Sequence, residues 1–243
     1  MDNFGTCRLC GEERKLLKSH IVPELCYRSA YDEKHRAVEV RSSSQGVRKA
    51  TAQKGFRERL LCDDCEQLLC RQYESPFSDY WYQVKQLSGP IKENVVELTG
   101  ADYRMMKLFH LSIIWRAHVA TEFSSIDLGP YAEWIREKLL SGDPGPEDFI
   151  PIFGFLLVGD DHNVEDGWIA PPMVAKLDHS RVYALCYAGC EWLFVMTRRA
   201  SRRQRIYVRG LQENGQMTLG KMHYMEAESM KYFIDALRKA PEC

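Results

Sequence analysis

Four cysteines in two C-x2-C pairs, Cys7 with Cys10 and Cys62 with Cys65, are the residues whose type and spacing point most directly to chemistry. Thiolates so spaced are the soft ligand set that Zn²⁺ takes in closed tetrahedral sites. "CRLCG" reads as a glycine-turned knuckle. "CDDCEQLL" reads as the opening of a helix, with Asp63 and Asp64 in a first turn whose dipole favours negative charge. A knuckle, a hairpin and a helix that donates the last two ligands make the arrangement called a treble clef. Cys26, Cys70, Cys186, Cys190 and Cys243 lack ligand spacing and read as ordinary thiols. The odd total of nine cysteines, with no apolar export signal at the N-terminus, argues against a disulfide framework.

Between the pairs lies "LLKSHIVPELCY", residues 16 to 27. By type alone His20 is a zinc ligand, a catalytic base or a polar loop residue. Four cysteines already fill a tetrahedral site, so the first of these roles is not required of it.

"CRLCG", "SHIVP" and "LLCDDCE", in that order over residues 7 to 75, resemble the zinc-containing branch of the HNH endonucleases. The resemblance implies a structural Zn²⁺ on Cys7, Cys10, Cys62 and Cys65. It further implies His20 as the base that activates water, a divalent ion, usually Mg²⁺, on the scissile phosphate, and DNA as substrate. Such a division of labour suits the reaction: a base near pH 7 generates hydroxide while a metal neutralises the phosphate. The chain departs from the family in three places. Ser19 stands where a metal-binding Asp or His is expected, Arg57 or Glu58 replaces a central Asn, and Glu66 replaces the His or Asn after the last cysteine. Glu66, Cys70 and Glu74 recur every four residues and so share a helix face, which makes Glu66 and Glu74 candidate ligands for the catalytic divalent ion.

Arg41, Arg48, Lys49, Lys54, Arg57 and Arg59 lie between His20 and the second cysteine pair, placed to follow a nucleic-acid backbone by charge. A second basic run, Arg198, Arg199, Arg202, Arg203, Arg205 and Arg209, suits phosphates or an acidic protein partner. An HNH-like module joined to a second domain is similar in architecture to effectors of bacterial anti-phage or mobile-element systems, which implies a protein partner in a defence complex. Two other readings remain open: a non-catalytic zinc module that binds nucleic acid, and a protein–protein adaptor.

The elements that must position these residues follow from the patterning. With 45% hydrophobic and 28% charged residues, 243 residues and a net charge of −1, the composition is that of a globular chain. No apolar run spans a bilayer, and the expectation is a cytoplasmic protein without a membrane partner. The predicted fold class is α+β: a zinc-stapled treble-clef (ββα-metal) domain over 1–90, then an α+β recognition domain over 91–243 with a central buried helix and an antiparallel sheet. The central helix is "ADYRMMKLFHLSIIWRAHVATEF", whose apolar residues recur at helical period, with His110 and His118 as packing residues. A second helix follows "DLGP", with Trp134, Ile135, Leu139 and Leu140 on one face, and "SGDPGP" stops it. "PIFGFLLVG", "RVYALCYAG", "CEWLFVMT" and "QRIYVRG" read as strands, with a tight turn at Ala188-Gly189. The stretch from Glu33 to Phe56 reads as a long loop or flexible hairpin, the aromatic residues from Tyr73 to Tyr82 as packing between the domains, and "YMEAESMKYFIDALRKA" as an amphipathic helix.

Overall fold

The computed structural model describes residues 3–43, 46–86, 93–121, 126–177, 180–198 and 208–230. A first sheet orders its strands β1 (Phe4–Thr6), β2 (Glu13–His20) and β5 (Arg57–Cys62), with both neighbouring pairs antiparallel. The knuckle between β1 and β2 closes by Gly11 N–H to the Cys7 carbonyl at 2.9 Å, and Gly11 sits at φ +81°, a conformation that excludes most side chains. β5 runs straight into helix α1 (Asp63–Leu69). After a single π-helical turn over Cys70–Glu74, the same helix continues as α2 (Ser75–Gln86).

The polar stretch before β5 is regular: β3 (Ala37–Ser43) pairs antiparallel with β4 (Gly46–Ala52), and Arg41 is set opposite Arg48. A hairpin, one of the two sequence expectations, is therefore what forms.

α3 (Tyr103–Val119) is the buried helix that the sequence predicts, with every residue from Met105 to Ala117 out of solvent. It starts where the Asp102 carboxylate accepts the Met105 N–H at 2.8 Å, an N-cap worth about 1 kcal/mol. α4 (Tyr131–Ser141) buries Ile135 and Leu139, leaves Leu140 exposed, and stops at Gly142 with φ +72°.

The large sheet has the order β6 (Val95–Leu98), β11 (Met217–His223), β7 (Ile152–Val158), β10 (Cys190–Met196), β9 (Ser180–Tyr187), β8 (Ala170–Leu177). Most of it is antiparallel as expected, but β7 and β11 pair in parallel, so this sheet is mixed. Ala188 and Gly189, at φ +54° and +78°, make the tight β9–β10 turn that the sequence predicts. In "QRIYVRG" residues 204–207 lie outside the described residues, and the remainder is not a strand. The C-terminal helix falls mostly outside them too, beyond a 3₁₀ turn at Tyr224–Glu226 and helical residues 228–230.

One hydrophobic cluster runs from Cys7 and Leu9 through Tyr73, Phe77 and Trp81 to α3 and to Trp192 and Leu219 of the large sheet. The aromatic residues after the second cysteine pair are its connectors: Phe77 stacks on Phe109 at 3.6 Å, the Trp81 indole donates to the Ala188 carbonyl at 3.0 Å, and Tyr73 donates to the Leu139 carbonyl at 2.9 Å. No helix among the described residues is long and apolar enough to cross a membrane.

Candidate functional site

Two neighbouring clusters share the β2–β5–α1 framework. In the first, the Sγ atoms of Cys7, Cys10, Cys62 and Cys65 all lie within 4.8 Å of one another, and these four cysteines could hold a metal ion. Cys10 Sγ and Cys62 Sγ are 3.9 Å apart. A tetrahedral ion with metal–sulfur bonds of 2.3 Å separates its thiolates by about 3.8 Å, so this spacing fits. Backbone geometry adds to the fit, because the Cys62 N–H points at Cys7 Sγ at 3.3 Å. Burial pushes the Cys7 thiol up, but N–H donors from Cys10, Cys62 and Leu9 outweigh it and bring the thiol down to about 7. Burial raises Cys62 and Cys65. Cys70 is exposed, while Cys26, Cys186 and Cys190 are buried away from the cluster.

The second cluster lies at the far end of β2. Leu16 pairs with Cys62 at the cysteine end, and a bulge between Leu17 and Lys18 then re-aims the chain just before Ser19 and His20. Ser19 is buried and accepts the Leu61 N–H at 3.2 Å. His20 Nε2 stands 2.7 Å from Glu24 Oε2 in the short 3₁₀ helix Glu24–Ala30, which begins directly after "HIVP". The other Glu24 oxygen accepts from Tyr31 at 2.9 Å and lies 3.5 Å from His35 Nε2.

Burial lowers the His20 pKa below its ordinary value, and Arg57 and Arg116 act in the same direction, while Glu24 and Glu74 oppose them. The imidazole is therefore neutral at pH 7 and able to take a proton. Burial raises the Glu66 carboxyl, against the favourable pull of Ser19 and Arg116. Glu66 and His20 thus share Arg116 and Glu74 as electrostatic neighbours. His20 Nε2 and Glu24 Oε2 face each other as an ion pair, and of the buried atoms here Glu66 Oε1 alone has neither a hydrogen bond nor a charged partner at contact distance. An unsatisfied buried polar atom is costly, and this one calls for a ligand, water or ion.

Arg116, buried in the last turn of α3, closes the site. Its Nη1 binds Glu74 Oε1 at 2.9 Å and the His20 carbonyl at 2.9 Å, and its Nε binds the Ser112 carbonyl at 3.2 Å. One turn beyond, Glu58 accepts from the backbone and hydroxyl of Thr121 at 2.7 and 3.0 Å. α3 is thereby fastened to both strands that carry the site.

Glu74 is an electrostatic neighbour of His20 and Glu66, and its carboxylate is engaged by Arg116. Glu66 keeps an unpartnered oxygen. Cys70 does not share their face: it is exposed. Among the basic residues, Arg57 adjoins His20 on the paired strand, Arg59 binds the Leu16 carbonyl at 3.2 Å, and Lys54 is exposed. Arg41, Arg48 and Lys49 are placed by strand register only. Arg199, Arg202, Arg203 and Arg205 lie outside the described residues.

Sequence reasoning missed Glu24 and Arg116. The interval of four from His20 to Glu24 was a usable signal; nothing in an apolar helix announces that its arginine faces a glutamate 42 positions earlier. His110, by contrast, is a packing residue: fully buried, 2.6 Å from the Tyr187 hydroxyl, with burial holding its pKa down at about 3.

No family model, no curated protein and no solved structure matches this chain.

Proposed function

We propose that the chain is a metal-dependent endonuclease that hydrolyses DNA phosphodiester bonds in the manner of the zinc-containing HNH enzymes. In this reading Zn²⁺ on the four cysteines holds a treble-clef framework. His20 is the general base and Glu24 orients it. Glu66, with Glu74 beside it, is the candidate ligand set for a catalytic Mg²⁺ or another divalent ion. Phosphate charge is met by Arg57 and by the β3–β4 basic residues.

The observation that carries the reading is the neutral His20 in contact with Glu24 at the end of the strand that also frames the cysteine cluster, with the buried Glu66 Oε1 unpartnered in the same surroundings. A positioned base contributes about 10²–10⁴-fold to such a reaction.

Nicking of supercoiled plasmid in Mg²⁺, Mn²⁺ or Ni²⁺ tests this. His20→Ala should lose cleavage by roughly 10²–10⁴-fold while keeping its bound metal and its affinity for duplex. Equal rates for the two proteins would end the assignment. The commitment of Glu74 to Arg116 favours a second reading, a zinc module that binds nucleic acid without cutting it. That reading holds if neither protein cuts with any metal while both bind duplex with steep salt dependence.

The pH profile gives a sharper check. His20 must be neutral to act as a base, so activity should fall only as pH drops through a His20 pKa lying below 6.5. Glu24 pulls that pKa upward, so Glu24→Gln should move the acid limb to still lower pH. A limb that stays in place, or moves up, would show that Glu24 does not act on the titrating group.

A further inference from the structure

One guanidinium reaches the first cysteine pair from the other half of the chain. Arg136, half-buried on α4, donates through Nη1 to the Leu9 carbonyl at 2.6 Å, across 127 positions. Its other edge is locked, because Nε and Nη2 bind the Glu133 carboxylate at 2.7 to 3.0 Å. Leu9 itself is fully buried in the knuckle, between Cys7 and Cys10.

The carbonyl that Arg136 grips is half of a peptide unit whose other half faces the thiolates. The Leu9 C=O and the Cys10 N–H belong to one planar trans unit and point in opposite directions. On the inner side the Cys10 N–H donates to Cys7 Sγ. A guanidinium on the oxygen therefore fixes the tilt of the donor. It also polarises the unit, which strengthens the bond to sulfur. The Cys62 N–H, the donor to the same sulfur at 3.3 Å, comes instead from the end of β5. Arg136 and Cys10 attract one another through charge as well, an effect that Glu133 offsets in part.

The support behind Arg136 closes a circuit. α4 is seated by the buried Ile135 and Leu139, and Tyr73 donates to the Leu139 carbonyl at 2.9 Å. Tyr73 lies on the helical rod that begins with Cys65. The rod that starts at the second cysteine pair thus holds the helix that reaches back to the first.

From this geometry we infer that Arg136 is a positioning residue of the four-cysteine site: through the Leu9–Cys10 peptide it aims the Cys10 N–H at Cys7 and so sets how tightly the metal is held. The inference rests on the four cysteines holding a metal, and it is independent of whether His20 cuts. Partners that orient metal ligands from behind are typically worth about 10–100-fold in affinity.

Competition for Zn²⁺ between the full chain and a chromogenic chelator at neutral pH tests it, together with amide exchange of the zinc-loaded proteins. Arg136→Leu should bind zinc about 10–100-fold more weakly than the parent. Arg136→Lys, whose ammonium can still donate to a carbonyl, should lose less. In Arg136→Leu the Cys10 amide should exchange faster while the Cys62 amide keeps its parent rate; a general loosening of the module would move both. Should Arg136→Leu not fold, Arg136→Gln carries the same measurements. Equal zinc affinity in parent and variant overturns the inference and leaves the four-thiolate site standing, whereas a parent that binds no zinc overturns both. The inference also falls if the Cys10 and Cys62 amides change together, or if Arg136→Lys binds zinc as weakly as Arg136→Leu.

Discussion

Purified protein should contain one zinc per chain, and Cys62→Ser, or removal of the metal by a thiol-competent chelator, should unfold β1, β2, β5 and the knuckle. The expected effect is the largest for any single position. Structural zinc binds with an apparent 10–16 kcal/mol in small modules at neutral pH, and binding energy of that kind is folding energy. The reason is local. The knuckle and its three short strands contribute few buried apolar side chains of their own, among them Leu9, Ile21, Val22, Leu60 and Leu61, to the cluster that continues into Tyr73, Phe77 and α3, so much of their order must come from the shared ligands. Hydrogen exchange should place the loss at residues 3–22 and 57–69 and leave α3 and the large sheet protected. Since Leu16 pairs with Cys62 on the strand that ends at His20, the metal-free protein should also lose the cleavage proposed for it. A metal-free chain with the same exchange pattern as the parent would refute the four-thiolate site.

Arg116→Met should be the most damaging change outside the cysteines. The guanidinium is about 1% exposed, and Glu74 is half-buried against it. Removing one partner of a buried ion pair costs roughly 3–5 kcal/mol, because the other charge stays behind unpaired. Here the same group also holds the His20 carbonyl, so the damage reaches the site directly. Denaturant melts should show the loss, and the double variant Arg116→Met with Glu74→Gln should recover part of it, since the abandoned carboxylate is then neutral. On the proposed function, the pH profile of cleavage should change as well. Arg116 lowers the His20 pKa, so its removal should move the acid limb upward, opposite to the shift expected for Glu24→Gln. Stability within about 0.5 kcal/mol of the parent, the range of ordinary surface changes, would mean that Arg116 is not the clasp described.

Both predictions depend on features of unequal legibility. The cysteine pairs could be read because metal ligation imposes a local spacing, and the structure gathers those four residues. α3 could be read because a continuously apolar stretch at helical period has nowhere to go but the interior. The Ala188-Gly189 turn could be read because two adjacent residues at positive φ between strands need that chemistry. β8 escaped because Pro171 and Pro172 argue against a strand, yet it is an edge strand, where a missing N–H is tolerated. The parallel pairing of β7 with β11 escaped because strands 59 positions apart leave no local trace of direction. The candidate site was half legible: His20 and Glu66 stand in quotable local patterns, whereas Arg116 reaches Glu74 only through the fold.

The π turn at Cys70–Glu74 bears on how this chain can change over evolutionary time. Cys65, Leu69, Tyr73, Phe77 and Trp81 are all buried at intervals of four, although in an uninterrupted α-helix that interval drifts by about 40° per step and soon carries a side chain away from its bed. The surplus residue resets the phase, so one continuous rod can present its first turn to the thiolates and its last turns to the aromatic interior. Between those two commitments, helix length is not a free variable. A lost or added residue there would leave every individual side chain acceptable and still rotate one half of the rod out of step with the other, which makes phase, rather than composition, the property this segment must conserve.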